Sequence, residues 1–223
     1  MGPNGATDVT ATTLATAPYI EQMKNWPTTG RHILAQFDKD TIIVYQAYCP
    51  NIGHFAVENG FFGGVFKYSR MSWIKTNFLW MMYRSQWGQA EGQEVILAMR
   101  LKRHFFDSLL EQAMPSSFDA QLFDSREEWA SAIARSDVRL QWDPDHLPAG
   151  EKCERRAIQL GLRSAALEAY GKREIVQIID ISSFVAEQRP NIREWKNGKL
   201  ITPIERVYIP TDPNLAKTAN YSQ

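Results

Sequence analysis

Several features that would assign this protein to a special class are missing. Only two cysteines, Cys49 and Cys153, occur among its 223 residues, and no Cys-x-x-Cys or His-x-x-x-His spacing accompanies them, which excludes a disulfide scaffold and a zinc finger. No run of about 18 apolar residues exists, so the sequence predicts no transmembrane helix. The first 18 residues have neither a basic start nor an apolar core, so they predict no secretory signal. We therefore expect a cytoplasmic protein.

The motifs of common catalytic machineries are also missing. No Gly-x-Ser-x-Gly motif is present, and the four histidines are scattered without carboxylates at ligand spacing. Gly60, Gly63 and Gly64 resemble a glycine-rich loop but match neither a P-loop nor a dinucleotide fingerprint. They are either a tight turn or a phosphate cradle. The sequence predicts no metal and no cofactor.

The composition is that of a globular protein with a substantial core. Hydrophobic residues make up 44% of the chain and aromatic residues 12%, including seven tryptophans. This length predicts one domain. We expect residues 1–18 to be disordered, residues 19–210 to form one domain, and residues 211–223 to be a flexible tail.

Charge is balanced overall but unevenly distributed. The chain has 25 basic and 25 acidic residues. Residues 65–103 carry seven basic and two acidic side chains, residues 104–151 three and ten, and residues 152–173 six and two. The two basic blocks, 65–103 and 152–173, either form one positive face for a phosphate-rich partner or are neutralised by surface ion pairs.

The pattern of elements predicts an α+β domain with a central mixed sheet flanked by helices. The β-branched and aromatic segment Thr41–Tyr48 predicts a strand, and Pro50–Asn59 predicts a helix that begins at proline and ends at Gly60. Residues 61–72 are expected to be a loop. We predict further strands over 95–101, 138–142, 157–162 and 174–181, and further helices over 19–26, 78–84, 104–114, 125–135, 164–170 and 182–188.

Residues 69–88 combine aromatic and basic side chains within an apolar run. Three tryptophans, one tyrosine, two arginines and one lysine lie in these twenty residues. A buried cation needs a partner, so Arg70, Lys75 and Arg84 either extend to the surface of a tryptophan-rich core or line a cleft that attracts anions. Aromatic rings beside cations suit base stacking and phosphate binding.

Two other segments carry polar side chains that could bind a ligand. In the strand Thr41–Tyr48, Tyr45 and Gln46 point to opposite faces, and polar side chains on a central strand need partners, so one face is expected to open to a cavity. Trp142-Asp-Pro-Asp145 either caps a turn or pairs its carboxylates with a cationic group.

These segments resemble a known family. Arg31 together with DKDTIIVYQAY (38–48), RMSWIK (70–75), FLWMMYRSQWG (78–88), QWDP (141–144) and RAIQLGL (156–162) is similar to bacterial and fungal proteins described as a domain of unknown function. The resemblance covers residues 31–208. Fungal proteins that look like this include arginine-containing cyclodipeptide synthases, enzymes of secondary metabolism.

The resemblance implies a reaction and a set of site residues. A synthase of this type condenses arginyl-tRNA with a second aminoacyl-tRNA to a diketopiperazine, and it needs a base and an oxyanion partner. The catalytic candidates are Tyr45, Lys75, Tyr83, Arg84 and Ser85. The substrate-binding candidates are Arg31, Asp38, Asp40, Gln46, Trp73, Trp80, Trp87 and Asp143, of which the three aspartates are candidates for pairing with the arginine substrate. The tRNA-binding candidates are Lys67, Arg70, Arg100, Lys102, Arg103, Arg155 and Arg156.

Two other functions stay open. A strand with Tyr45-Gln-Ala followed by a helix ending in Asn59-Gly60-Phe61 resembles the start of ADP-ribosyltransferases, although no catalytic glutamate in a matching context is identified. The same basic and aromatic residues would also serve a non-catalytic RNA- or nucleotide-binding module. Product analysis separates the three functions. A synthase makes a cyclic dipeptide, an ADP-ribosyltransferase releases nicotinamide from NAD, and a binding module binds without turnover.

Overall fold

The computed structural model describes residues 14–212. The strands are β1 Thr16–Pro18, β2 Leu34–Ala35, β3 Thr41–Tyr48, β4 Ser72–Lys75, β5 Val95–Lys102, β6 Met114–Pro115, β7 Val138–His146, β8 Lys152–Leu162, β9 Ile175–Asp180, β10 Ile201–Pro203 and β11 Arg206–Val207. The α-helices are α1 Tyr19–Met23, α2 Pro50–Asn59, α3 Phe78–Ser85, α4 Arg103–Gln112, α5 Arg126–Arg135, α6 Ser164–Ala169 and α7 Ser182–Gln188. A π-helical turn, Tyr170–Glu174, follows α6, and two short 3-10 helices, Arg189–Asn191 and Trp195–Asn197, follow α7.

A seven-stranded sheet forms the centre of the molecule, in the order β6-β7-β8-β4-β3-β5-β9. The β6–β7 pair is parallel and the other pairs are antiparallel. Two small antiparallel pairs, β1–β10 and β2–β11, lie outside this sheet. The predicted α+β class with a central mixed sheet is therefore confirmed.

Helices cover both faces of the sheet because the side chains of each strand alternate between them. On β3, Ile42 and Val44 belong to a core cluster that contains residues of α2, α4 and α6, whereas Ile43 and Tyr45 belong to a second cluster with residues of α1, α3 and α7. All four side chains are buried. The core is thus divided by the sheet into two layers.

Local sequence predicts several elements well. β3 and α2 have the predicted bounds, and Gly60 ends α2 with a left-handed φ of 75° that favours glycine. The Ser125 hydroxyl accepts a hydrogen bond from the Glu128 amide at the start of α5, as the capping pattern predicts.

Three points of the predicted local structure are corrected. The loop predicted over residues 61–72 ends one residue early, because Ser72 begins β4, a strand that the sequence did not predict and that pairs with β8 along its whole length. Residues 142–145 do not cap a turn but continue β7, which stays paired with β8 up to an irregularity between Pro144 and His146. Thr16–Pro18 pair with β10, so the end of the predicted disordered segment is ordered.

The remaining terminal predictions fall largely outside the described residues. Residues 1–13 and 213–223, which contain the rest of the predicted disordered segment and most of the predicted tail, are not described. Within residues 14–212, no helix is long and apolar enough to cross a membrane.

Candidate functional site

A cleft opens in the central sheet where β3 and β4 separate. The register joins these strands only at Tyr45 and Lys75 among the described residues. Beyond that pair, the Gln46 side-chain amide donates to the Trp73 carbonyl oxygen at 3.0 Å, in place of a backbone ladder. The cleft has a volume of about 570 Å³ and is lined by Gln46, Ala47, Tyr48, Arg70, Met71, Ser72, Trp73, Lys75, Met81, Arg84, Gln93, Gln141 and Gln159.

A buried hydrogen-bond network holds Gln46 at the floor of the cleft. Its Nε2 donates to Ser72 Oγ at 2.8 Å, and its Oε1 accepts from the Tyr170 hydroxyl at 2.7 Å. The Tyr48 hydroxyl lies 2.5 Å from the same Ser72 oxygen. Burial raises the pKa of both Tyr48 and Tyr170, so both phenols stay protonated. The network therefore fixes the Gln46 amide in one orientation.

Lys75 is the least usual residue of the cleft. Lys75 is only 6% exposed, yet its side-chain amine makes no hydrogen bond or ion pair with any described residue. Burial, and to a smaller extent the nearby Arg84 guanidinium, lower the pKa of Lys75 to about 8 against the opposing effect of Asp143. Around pH 8, much of this amine is therefore uncharged, which makes it available as a base.

The walls of the cleft are positively charged. Arg70, Lys75 and Arg84 line it, and no carboxylate does so among the described residues. Asp143 accepts hydrogen bonds from the side-chain amides of Gln141, at 2.9 Å, and Gln159. Three cations with neutral amides between them make a site for an anion that also offers hydrogen-bond donors and acceptors.

Helix α3 positions Arg84 through a well-capped N-terminus. Asn77 caps the helix, and the buried Glu205 carboxyl accepts from the Phe78 amide at 2.6 Å and from the Asn77 side chain at 3.3 Å. Burial raises the pKa of Glu205, while the hydrogen bond from Phe78 opposes this effect. Because residues three apart share a helix face, Met81 and Arg84 both reach the cleft.

Of the five predicted catalytic residues, Lys75 and Arg84 line the cleft and the other three do not. Tyr45 is fully buried, and its ring packs against Phe78 with centroids 5.6 Å apart. Ser85 is also fully buried and donates to the Met81 carbonyl oxygen at 2.9 Å, which stabilises the end of α3. The prediction that one cleft gathers all five residues is therefore wrong.

Tyr83 lies away from the cleft, on a part of α3 that contacts the β7–β8 hairpin. It is 43% exposed, and its ring stacks on His146 with centroids 3.6 Å apart. Trp80 joins this stack, with its centroid 5.4 Å from that of His146. Trp87 is buried and donates from Nε1 to the Pro148 carbonyl oxygen at 3.2 Å. Trp80 and Trp87, predicted to bind substrate, are therefore buried and do not line the cleft.

The other predicted substrate-binding residues divide into two groups. Gln46 and Trp73 line the cleft, and Asp143 is hydrogen-bonded to two of its glutamines. Asp38 instead accepts from the Thr41 amide at 2.7 Å in the turn before β3. Asp40 lines a different surface depression.

Arg31 lines a second pocket that shares Gln141 with the cleft. This pocket measures about 370 Å³ and lies beside residues of the segment between β6 and α5. The backbone of Arg31 forms a parallel bridge to Arg156. Arg31 is thus near the cleft wall without lining the cleft itself.

The two basic blocks do not provide one free positive face. Arg70 lines the cleft and Lys67 is exposed in the loop before it. Lys102 pairs with Glu174 at 3.2 Å. Arg100 lies 3.8 Å from Asp38. The ion-pair alternative therefore holds for part of the first block.

Two further residues predicted to bind tRNA have structural partners. The Arg103 guanidinium lies over the Tyr208 ring, 5.0 Å from its centroid, and donates to the Tyr208 hydroxyl at 3.1 Å. Arg155 is buried and its Nε donates to Asp145 at 2.8 Å, so the fold already supplies a partner for this guanidinium. In β8, the backbone amide of Arg156 donates to the Gly30 carbonyl oxygen at 2.8 Å, beside the bridge to Arg31 already described.

Sequence reasoning missed three glutamines of the site: Gln93, Gln141 and Gln159. Gln141 and Gln159 stand opposite each other on β7 and β8. Gln159 is the only polar side chain in the apolar run 157–162, which is the same signal that singled out Gln46, whereas Gln141 has charged residues on both sides in β7. Applied to every strand, that argument would have identified Gln159 but not Gln141.

The fold and the cleft together define a single-domain α+β protein with a cationic, glutamine-lined site in its central sheet. Residues 32–208 match the family described as Domain of unknown function (DUF4291), and the chain belongs to that family. This confirms the predicted resemblance to a family of unknown function. No curated protein matches the sequence, so the reaction itself stays a prediction.

Proposed function

We propose that this protein is a tRNA-dependent arginine-containing cyclodipeptide synthase, which condenses arginyl-tRNA with a second aminoacyl-tRNA. The observation that supports this function best is the unpaired, buried Lys75 amine in a cleft with Arg70 and Arg84. A base with a pKa of about 8 is well matched to removing a proton from an α-ammonium group near neutral pH.

The proposed reaction needs one base and one site for developing negative charge. The neutral Lys75 amine takes a proton from the α-ammonium of one aminoacyl group, and the resulting amine attacks the ester carbon of the other. Arg84 stabilises the tetrahedral oxyanion, the attacking nitrogen releases its extra proton to water, and the Lys75 ammonium returns its proton to the departing ribose oxygen of the first tRNA. A second attack, within the dipeptidyl ester, closes the diketopiperazine ring and releases the second tRNA.

The same cleft suits the 3′ end of a tRNA. Its volume of about 570 Å³ lies in the range of small-molecule sites. Arg70 and Arg84 are placed for phosphates, the Trp73 ring for stacking on the terminal base, and the glutamine amides for ribose hydroxyls. Asp143 does not line the cleft, but it is hydrogen-bonded to two glutamines that do, and we expect it to pair with the guanidinium of the arginine substrate.

Product analysis tests the proposal. We would incubate the pure protein with tRNA, arginyl-tRNA synthetase, the other synthetases, ATP and amino acids, and identify small molecules by mass spectrometry. The expected product is a cyclic dipeptide that contains arginine and disappears when the arginyl-tRNA is omitted. If no cyclic product forms from any charging mixture, the proposal is wrong.

A matched pair of variants assigns the base. Lys75→Met should lower turnover by about 100-fold or more, whereas Lys199→Met, which removes an exposed lysine outside the cleft and outside the predicted tRNA contacts, should leave it close to that of the unchanged protein. Equal turnover in the two variants would remove Lys75 from the mechanism without removing the synthase activity.

Salt dependence tests the tRNA contacts separately from the chemistry. Arg70→Gln and Arg84→Gln should each weaken binding of charged tRNA. Each should also reduce the slope of log K against log salt by about 0.7, the value for one single-stranded phosphate contact. Unchanged slopes would place the phosphates elsewhere.

The two alternative functions give different results in the same assays. No glutamate lines the cleft among the described residues, so an ADP-ribosyltransferase reaction has no supporting residue there. Release of nicotinamide from NAD would nevertheless replace our proposal with that one. Tight, salt-dependent binding of tRNA without any product would indicate a binding module.

A further inference from the structure

The Lys75 amine has the surroundings of a nucleophile as well as those of a base. It is buried in the sheet, makes no hydrogen bond or ion pair with a carboxylate or carbonyl group among residues 14–212, and shares its cleft with two guanidinium groups, while Asp143 acts on it only as a nearby charge. Burial and neighbouring positive charge are the two conditions that activate a lysine toward carbonyl groups. A lysine that served only the fold would be expected to have a partner for its charge.

We propose that Lys75 is a carbonyl-reactive lysine, whose amine forms an imine with small aldehydes or ketones that carry a phosphate or a carboxylate. The nitrogen lone pair attacks the carbonyl carbon to give a carbinolamine. Both protons of the amine then leave with the carbonyl oxygen as water, and a C=N bond remains. This reaction needs no oxidant or reductant and no tRNA, so it goes beyond the synthase function and does not depend on it.

The charge of the cleft selects the class of carbonyl compound. Arg70 and Arg84 line the same cleft as Lys75, and the lining contains no carboxylate among the described residues. A phosphate or carboxylate on the ligand would therefore be attracted while an uncharged analogue would not. The Trp73 ring adds a flat apolar surface for a planar ligand.

Reductive trapping with pyridoxal 5′-phosphate tests the inference. This aldehyde carries a phosphate and a flat ring, and pyridoxal is the matched probe without the phosphate. The full chain is incubated with each probe at pH 8, reduced with cyanoborohydride, digested and mapped by mass spectrometry. We expect one dominant adduct on Lys75, formed at least 10-fold faster than on Lys67 and at least 10-fold faster with the phosphorylated probe.

The distribution of the adducts over the lysines decides the proposal. Adducts spread over exposed lysines, with Lys75 no more reactive than Lys67, would overturn it, and equal trapping of pyridoxal would overturn the anionic class of ligand. The mapping uses the unchanged protein, so it does not depend on a variant that folds. A protein that makes cyclic dipeptides but traps no aldehyde on Lys75 would overturn this inference alone, and the reverse result would overturn only the synthase.

Discussion

Replacing Lys75 with methionine should make the protein more stable while it removes function. The side chain is buried without a partner, and the folded protein holds its pKa at about 8 against 10.5 for the free side chain. At about 1.4 kcal/mol per pH unit, keeping this ammonium buried costs about 3 kcal/mol at pH 7. Methionine has a similar length and no charge, so Lys75→Met should raise the free energy of unfolding by up to that amount.

The sign of the effect can be checked with pH. Below pH 8 the lysine is protonated in both the folded and the unfolded states, so the full cost is present. Between pH 8 and 10.5 the folded protein releases the proton and the unfolded chain keeps it, so the cost falls as pH rises. The stability difference between Lys75→Met and the unchanged protein should therefore be largest near pH 7 and nearly vanish near pH 10.5.

Urea denaturation of both proteins at several pH values measures this difference, because other titrating groups affect both proteins alike. Lys67→Met is the control and should change the free energy of unfolding by no more than about 0.5 kcal/mol at any pH. A Lys75→Met protein that is less stable than the unchanged one at pH 7 would refute the reasoning. So would a stability difference that does not change with pH. Either result would mean that Lys75 supports the fold.

Three further changes should have distinct effects. Arg84→Gln removes a cation that lowers the pKa of Lys75, so the pH of half-maximal turnover should rise. Ser85→Ala removes a buried hydroxyl that donates to a helix carbonyl and should lower the free energy of unfolding by about 1 kcal/mol without changing turnover per folded molecule. Asp145→Asn removes the negative charge that pairs with the buried Arg155 and should lower the free energy of unfolding by about 3–5 kcal/mol. The double variant Asp145→Leu with Arg155→Met leaves no unpaired charge and should lower it less.

The outcomes that would contradict these predictions are specific. A pH profile that stays in place or moves to lower pH in Arg84→Gln would show that this guanidinium does not act on the base. If a folded Ser85→Ala protein loses turnover, the Ser85 hydroxyl takes part in the reaction after all. For the buried ion pair, Glu168→Gln is the control, since Glu168 and Lys172 are paired on the surface and their loss should cost at most about 0.5 kcal/mol.

The sequence alone determined the elements whose signals are local. The run of β-branched residues in Thr41–Tyr48 makes a strand because those side chains pack well on a pleated surface. Proline at the start and Gly60 at the end delimit α2, because proline needs no amide partner there and glycine accepts a left-handed φ. The alternation along β3 also determined which of its side chains face each layer of the core.

Which polar residues line the cleft together depends on the tertiary structure. Lys75 and Arg84 are close in sequence, but Gln141 and Gln159 join them because β8 lies next to β4 in the sheet and β7 lies next to β8. β4 itself is four residues long, too short for a periodic pattern to reveal. The separation of β3 from β4, which opens the cleft, depends on pairing between strands and leaves no local mark in either of them.

The same reason explains why several residues of the two basic blocks are paired with acids. Composition counts the basic residues of a segment, but the charge they present depends on acids that lie far away in the chain. Lys102 meets Glu174 and Arg155 meets Asp145 only after folding. Charge density is a property of the sequence, whereas exposed charge is a property of the fold, because pairing and burial act through distances in space.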